Sequence, residues 1–226
     1  MAKKKKKSSK KPTKATVTKR PKKAAPKKAA PKKAKKQRAA KSKAKPAPKP
    51  KPAPAAKPAS RDFPERLAAL HAVPFSYDDG IDFEPYEEFM SPDESKSWIQ
   101  AWTGNKELTA DEYRIFGQDG TGGYAMFWLV RPDADVLEQP IVFFGSEGEL
   151  GVVARNFDDY AWLLAHGAGP LEVVSYGGET SKPHAGFTTF AEKHAPHAKK
   201  SPKEAIAAAK SEFPDFEARI RKLVKY

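Results

Sequence analysis

The stretch "FGQDGTGGYAMFWLV" (Phe116–Val130) sets four glycines and an aspartate ahead of an unbroken apolar run. Whether it opens a helix or a strand sets the class of the whole domain. A glycine loop that cradles phosphate must end in a Lys-Ser/Thr pair and lead into a helix whose N-terminus faces the anion. Here no lysine lies between Phe116 and Val130, and "YAMFWLV" is rich in aromatic and other strand-forming residues. A dinucleotide fingerprint fails on the same ground, because it too opens a helix. The spacing therefore predicts a β-hairpin, with the glycines supplying positive φ in its turn and Asp119 there as a favoured turn residue.

Working outward, "EYRIFG", "QPIVFFG" and "ELGVVAR" are further strand-like runs, and "GSEGE" makes a second hairpin turn between the last two. Helices are predicted on both sides of this sheet. "SRDFPERLAALHAV" (Ser60–Val73) has a Ser or Asp cap and an apolar spacing at Phe63, Leu67 and Leu70. Ser91 and Pro92 open a second helix, which places Trp98 and Trp102 on one face, as core or as an aromatic contact surface. In "NFDDYAWLLAHG", Asn156 is the cap and Tyr160, Leu163 and Leu164 form the apolar face. "GPLEVVSYGG" (Gly169–Gly178) reads as one more short extended segment. "GFTTFAEKHAP" is helical, and Ser201 to Glu204 has the spacing of a capping box for a last run that Pro214 should break or kink.

Charge divides the chain. Residues 1–60 hold 25 of the 42 lysines and arginines and no acidic residue, which leaves 17 basic against all 28 acidic residues in 61–226, a net of −11. The first segment has ten prolines and no aromatic side chain. It cannot bury enough apolar surface to offset its ordering entropy, so it is expected to be a disordered tail and linker. The repeat "PKKAAPKKAAPKKAKK" (Pro21–Lys36) is the charge-rich half, and "KPAPKPKPAPAAKPA" (Lys45–Ala59) is the proline-rich spacer. Lys22, Lys23, Lys27, Lys28, Lys32, Lys33, Lys35 and Lys36 are the residues expected to neutralise phosphates of DNA or RNA without reading sequence. In composition the tail resembles the arms of linker-histone-like proteins.

Candidate chemistry in residues 61–226 is sparse. Cysteine is absent, which excludes disulfides and thiolate metal sites. His184, His194 and His197 lie among lysines with no metal-ligand spacing, and read as surface histidines. Asp119, Glu147 and Glu149 sit on the two hairpin turns, where turn propensity and solvation explain them without acid–base work. The informative feature is the acidic stretch "YDDGIDFEPYEEFMSPDE" (Tyr77–Glu94). Asp78, Asp79, Asp82, Glu84, Glu87 and Glu88, interleaved with Phe75, Tyr77, Phe83, Tyr86 and Phe89, would present an acidic, aromatic face to a basic partner. A solvated loop that buries its aromatics is the alternative.

The segments "YRIFGQDGTGGYAMFWLV", "QPIVFFGSEGELGVVARNFDDYAWLLAHG" and "SPKEAIAAAKSEFPDFEARI" resemble, in this order, the SUKH superfamily of bacterial immunity proteins and fungal cell-wall regulators, over roughly residues 60–226. The resemblance implies an α+β domain, with a mixed or antiparallel sheet flanked by helices, that binds other proteins and does not catalyse. Bacterial members of the family occlude toxins, many of them nucleases, and an acidic inhibitor suits a surface built to hold nucleic acid. Gly117, Gly120, Gly123, Trp128 and Gly148 would shape the fold. Asp78 to Glu88, with Glu147 and Glu149, would bind a basic toxin-like partner. The tail departs from the family pattern. No cofactor, small-molecule substrate, metal or membrane contact is expected, and no signal peptide or spanning run is visible, so the expected compartment is the cytoplasm. The alternative is a nucleoid- or chromatin-associated protein in which the tail does the principal work.

Overall fold

The computed structural model describes residues 61–178 and 182–225; the expected disordered tail lies outside them. Five strands, β1 (Glu84–Pro85), β2 (Tyr113–Gln118), β3 (Tyr124–Trp128), β4 (Ile141–Phe144) and β5 (Leu150–Ala154), form one sheet in the order β1-β2-β3-β4-β5. All neighbouring pairs are antiparallel. Seven helices are described: α1 (Glu65–His71), α2 (Pro92–Thr103), α3 (Phe157–Ala165), α4 (Pro170–Tyr176), α5 (Ala185–His194), α6 (Pro202–Glu212) and α7 (Phe216–Arg221). The architecture is α+β, as the sequence led us to expect, and the sheet is a plain meander.

Antiparallel sheets often leave one face wet, which would give the strands an alternating pattern; these strands do not alternate because both faces are covered. Ala125, Phe127, Ile141 and Phe143 point into a core with α1, α3, α4 and α5. Their neighbours Met126, Trp128, Val142 and Phe144 point into a second core with α2 and α7. Burying each Phe contributes roughly 1.5–3 kcal/mol before entropy is counted, so the sheet is the anchor of two cores at once. Helix α6 joins them at the β5 edge: Ala205 and Ile206 pack into the first core and Ala209 into the second.

Two bulges adjust which face a residue meets. Ile115 pairs with Met126 and Gly117 with Ala125, which leaves Phe116 as the extra residue of β2. On β5, Ala154 pairs with Ile141 and Val152 with Val142, so Val153 is extra. As a result Val153 and Ala154 both face the first core.

The capping signals behave as read for α2, α3 and α6. Ser91 Oγ accepts from Glu94 N–H at 3.3 Å, Asn156 Oδ1 from Asp159 N–H at 3.0 Å, and Ser201 with Glu204 completes a capping box. Pro214 separates α6 from α7, as expected. Two expectations are corrected. The N-cap position of helix α1 is Pro64, which has no side-chain cap hydrogen bond, and not the expected Ser or Asp. Gly169–Gly178 is not extended: Pro170 occupies the first turn of helix α4, and Gly177, at φ 65°, is its C-cap. The β-branched "VV" pair suggested a strand, but Val173 is buried in the first core and Val174 packs against Gly151 of β5, so tertiary packing sets the conformation.

Tyr160 of α3 is fully buried, and its hydroxyl finds no partner among the described residues. Burial and the nearby Glu172 push its ionisation well above the ordinary range, so the group stays neutral. A buried unpaired hydroxyl costs about 1–3 kcal/mol in desolvation. Tyr160→Phe is therefore expected to leave the chain at least as stable, with a gain of about 1 kcal/mol in urea unfolding; a clear loss would show that the hydroxyl has a partner.

Candidate functional site

The site is built from the two hairpin turns and the acidic segment that runs past them. In the first turn Asp119 is 2% exposed, and its Oδ1 accepts from Thr121 N–H (2.8 Å), Thr121 Oγ1–H (2.9 Å) and Gly123 N–H (2.8 Å). Through Oδ1 the carboxylate is thus the internal brace of the hairpin, while its buried Oδ2 has no hydrogen-bond partner among the described residues. Gly122 takes the left-handed conformation at φ 91°, as a turn glycine should. Gly123 is needed for a different reason. A Cβ there would lie 2.7 Å from Phe143 Cζ and 2.9 Å from Gly145 Cα, so this glycine permits two turns to touch. The expectation that the loop glycines serve positive φ holds for Gly122 and not for Gly117, Gly120 or Gly123.

Ser146 Oγ–H donates to Thr121 Oγ1 at 2.9 Å and ties the second turn to the first. Gly148, at φ 93°, closes that second turn, and Glu149 Oε2 accepts Glu147 N–H at 3.2 Å. From the other side Asp82 Oδ1 accepts Gly120 N–H at 2.8 Å, and Gln118 Nε2 donates to Glu84 Oε2 at 2.6 Å. These contacts gather Asp82, Glu84, Glu147 and Glu149 at one end of the sheet. Asp78, Asp79, Glu84, Glu87, Glu88 and Glu147 are exposed, while Asp82 and Glu149 are half-buried. Asp79 lies within the short helical turn Tyr77–Asp79, where its carboxylate accepts Ser76 N–H at 2.8 Å and stands 3.8 Å from His184 Nε2. Contacts thus bring Asp82, Glu84, Glu147 and Glu149 together, Asp78, Asp79, Glu87 and Glu88 are exposed on the chain segment that carries Asp82 and Glu84, and Asp79, Asp82 and Glu149 are also structural.

The aromatic half of the expected face is corrected. Phe83 and Phe89 are only 5% and 7% exposed and belong to the first core, and Phe75 packs half-buried against Phe187. Only Tyr77, 62% exposed, and the half-buried Tyr86 remain at the surface. Alternation of acid and aromatic residues here reflects a segment with one buried and one wet side. Trp98 and Trp102 are half-buried against Tyr124 and Phe144, and Trp102 Nε1–H donates to Gly145 O at 2.8 Å. They are structural walls of the second core.

No family model, curated protein or solved structure matches this chain.

The histidines are less superficial than expected. His197 is exposed, but His184 caps α5 by accepting Phe187 N–H at 3.2 Å, and His194 stacks on Phe190 at 4.4 Å. Among the described residues no three His, Asp or Glu side chains converge in a metal-binding arrangement. Nor is any described helix long and apolar enough to cross a membrane. The eight tail lysines from Lys22 to Lys36 lie outside the described residues.

Three titratable groups were not expected to be buried. His71 sits among Phe63, Phe83 and Phe116, and its Nδ1 lies 2.7 Å from Tyr86 O. Glu172, 8% exposed, accepts Asp82 N–H on Oε1 at 3.2 Å, while Oε2 has no partner among the described residues; burial raises its pKa. Asp159, 1% exposed, is held by Lys200 at 2.6 Å and Arg155 at 2.8 Å. His71 and Glu172 each grip the backbone of the acidic segment, at Tyr86 and Asp82. Only the i, i+4 spacing of Arg155 and Asp159 could have been found in the sequence.

Proposed function

We propose that residues 61–226 form a protein-binding module without catalytic activity, of the toxin-immunity kind, whose acidic end takes a basic protein partner. The observation that carries this reading is the gathering of Asp82, Glu84, Glu147 and Glu149 at the hairpin turns, on a part of the chain whose net charge is −11 (17 basic against 28 acidic) and whose exposed Asp78, Asp79, Glu87 and Glu88 flank Asp82 and Glu84 in sequence. Same-sign charges placed together cost self-repulsion, which a basic partner would relieve while the field speeds its approach. The likeness of the hairpin and aromatic helix segments to SUKH proteins supports the same reading. In this reading the tail binds polyanions without sequence preference.

The test is a pull-down with the full chain at physiological salt. Wild type is expected to retain a strongly basic protein, and the triple variant Asp78→Lys, Asp79→Lys, Glu87→Lys is expected to lose it. Equal recovery by both would defeat the reading. The +25 tail favours a second reading, a nucleoid- or chromatin-associated protein. The same preparation titrated with mixed-sequence duplex DNA separates the two: a tail that engages about 6–10 phosphates loses about 10³–10⁵ in affinity between 50 and 200 mM salt.

A further inference from the structure

Beside β1 the acidic segment borders an open groove of about 990 Å³ lined by Tyr86, Tyr124 and Phe89 and by Glu87, Glu88, Glu94 and Asp62 against a single cation among the described residues, Arg61, which donates to Met90 O at 2.7 Å. Ring contacts and hydrogen bonds hold its aromatic side chains in place. The Tyr86 and Tyr124 rings stand 6.5 Å apart at 61°. Trp98 meets Tyr124 edge to face at 4.7 Å, and Tyr86 Oη–H donates to Gln118 Oε1 at 2.8 Å. Burial holds the Tyr86 hydroxyl protonated far above the usual range, with Glu84 and Glu94 adding to the effect, so it is a neutral donor at any physiological pH. The segment itself is pinned against β2, because Tyr86 N–H donates to Phe116 O and Met90 N–H to Ile115 O, each at 3.0 Å.

Aromatic faces already held by ring contacts and a hydrogen bond lose less side-chain entropy on binding, and suit a ligand that is itself pre-ordered and presents flat apolar ridges. A polyproline-II strand is such a ligand: it has three residues per turn, solvated backbone groups and rings that stack on tyrosine. The rim then decides which such strands bind. Glu87 and Glu88 are exposed, and Glu94 accepts only the short Ser91 hydroxyl contact at 2.6 Å as a side-chain partner, so the rim selects cations and rejects acidic strands and nucleic acid. We propose that this groove binds an extended, proline-rich segment of a partner protein that carries lysine or arginine between its prolines. The proposal rests on the protein-binding reading above and names the chemistry of the partner.

The experiment uses the full chain and a fluorescein-labelled peptide of alternating Lys, Pro and Ala, followed by anisotropy. Two control peptides replace Pro by Ala or Lys by Glu. The Lys/Pro peptide is expected to bind at least about tenfold more tightly than either control, the size of a single strong interface contact. Glu87→Lys with Glu88→Lys, and separately Tyr124→Ala, should each weaken it about tenfold, while Tyr124→Phe, which keeps the ring, and Glu192→Lys on α5 leave it unchanged. Unfolding midpoints of the variants establish that they remain folded; should Tyr124→Ala fail to fold, the charge pair and the peptide controls decide. If the Ala-for-Pro peptide binds equally well, or Glu192→Lys is as harmful as the Glu87/Glu88 change, recognition is diffuse charge: the groove is overturned and the basic-partner reading stands. If no cationic peptide binds even at low salt, both fall.

Discussion

Acidification from pH 7 to pH 4 is expected to lower the unfolding free energy of the domain by on the order of 3 kcal/mol through His71 alone. The imidazole carries its proton on Nδ1, which donates to Tyr86 O at 2.7 Å, and leaves Nε2 buried without a partner among the described residues. Aromatic rings close it in, with Phe63 at 5.7 Å, Phe116 at 5.8 Å and Phe83 at 6.0 Å. Burial, partly opposed by the Tyr86 hydrogen bond, pulls its pKa from the ordinary 6.5 down to about 4. A folded-state pKa below the unfolded one means that the unfolded chain takes up the proton first. Stability from this group is therefore complete above pH 6.5 and is lost progressively as the pH falls toward 4. The gap between those two values, at about 1.4 kcal/mol per tenfold change in proton concentration, gives the figure of about 3 kcal/mol.

Glu172 works in the opposite sense. Burial, with the charge of Asp82 adding to it, raises its pKa against the pull of its backbone hydrogen bonds. Its contribution is present below the ordinary carboxylate range and is lost as the pH rises through the folded-state value, so it offsets part of the acid loss due to His71. Urea unfolding at pH 7, 6, 5 and 4 separates the two groups. His71→Asn retains a donor toward Tyr86 O and cannot titrate, so it should flatten the acid slope, whereas Glu172→Gln should steepen it. Superimposable slopes for wild type and His71→Asn would refute the assignment. Because His71 and Glu172 hold Tyr86 and Asp82, the acidic segment should be the first part to loosen in acid, as faster amide exchange there would show.

Replacing Asp119 by alanine is expected to cost about 3 kcal/mol or more, the second large effect. The substitution removes the acceptor of three hydrogen bonds and strands the buried Gly123 N–H. Each abandoned buried donor costs about 1–3 kcal/mol. Asp119→Asn keeps an oxygen at the Oδ1 position but loses charge assistance and sets an amide NH2 at the buried, unpartnered Oδ2 position, so a smaller loss of about 1–2 kcal/mol is expected. The ordering Ala far worse than Asn, read from denaturation midpoints, is the critical outcome. Equal costs would mean that the charge, and not the acceptor geometry, holds the turn. Since this turn touches both Asp82 through Gly120 and Ser146 through Thr121, Asp119→Ala should also weaken any partner that binds the acidic end.

Much of the architecture was legible because local chemistry and global packing agree. Asn156, Ser91 and Ser201 cap helices in any context, since each offers an oxygen to otherwise orphaned N–H groups. The strands β2 to β5 announce themselves by β-branched and aromatic runs, and glycine-rich turns of this length between such runs join antiparallel neighbours. Where the two disagree, the sequence misleads. Residues 170–176 carry a valine pair suited to a strand, yet they form helix α4, because the face bearing Val173 is buried in the first core. Phe83 and Phe89 looked available to a partner until the fold buried them under α1.

Residue types alone set the division of charge between residues 1–60 and 61–226, and marked strands β2 to β5, helices α2, α3, α5 and α6, and the glycine loop after Phe116 as a hairpin turn. These depend on residue types and short spacings, which act within a few positions along the chain. Folding added the burial of both faces of the sheet, the bracing role of Asp119, and the anchoring of the acidic segment by His71 and Glu172. Each of those facts joins residues distant in sequence, such as Asp82 to Glu172 across 90 positions. Desolvation, which sets the chemistry of a buried histidine or carboxylate, exists only once such distant segments have closed over it.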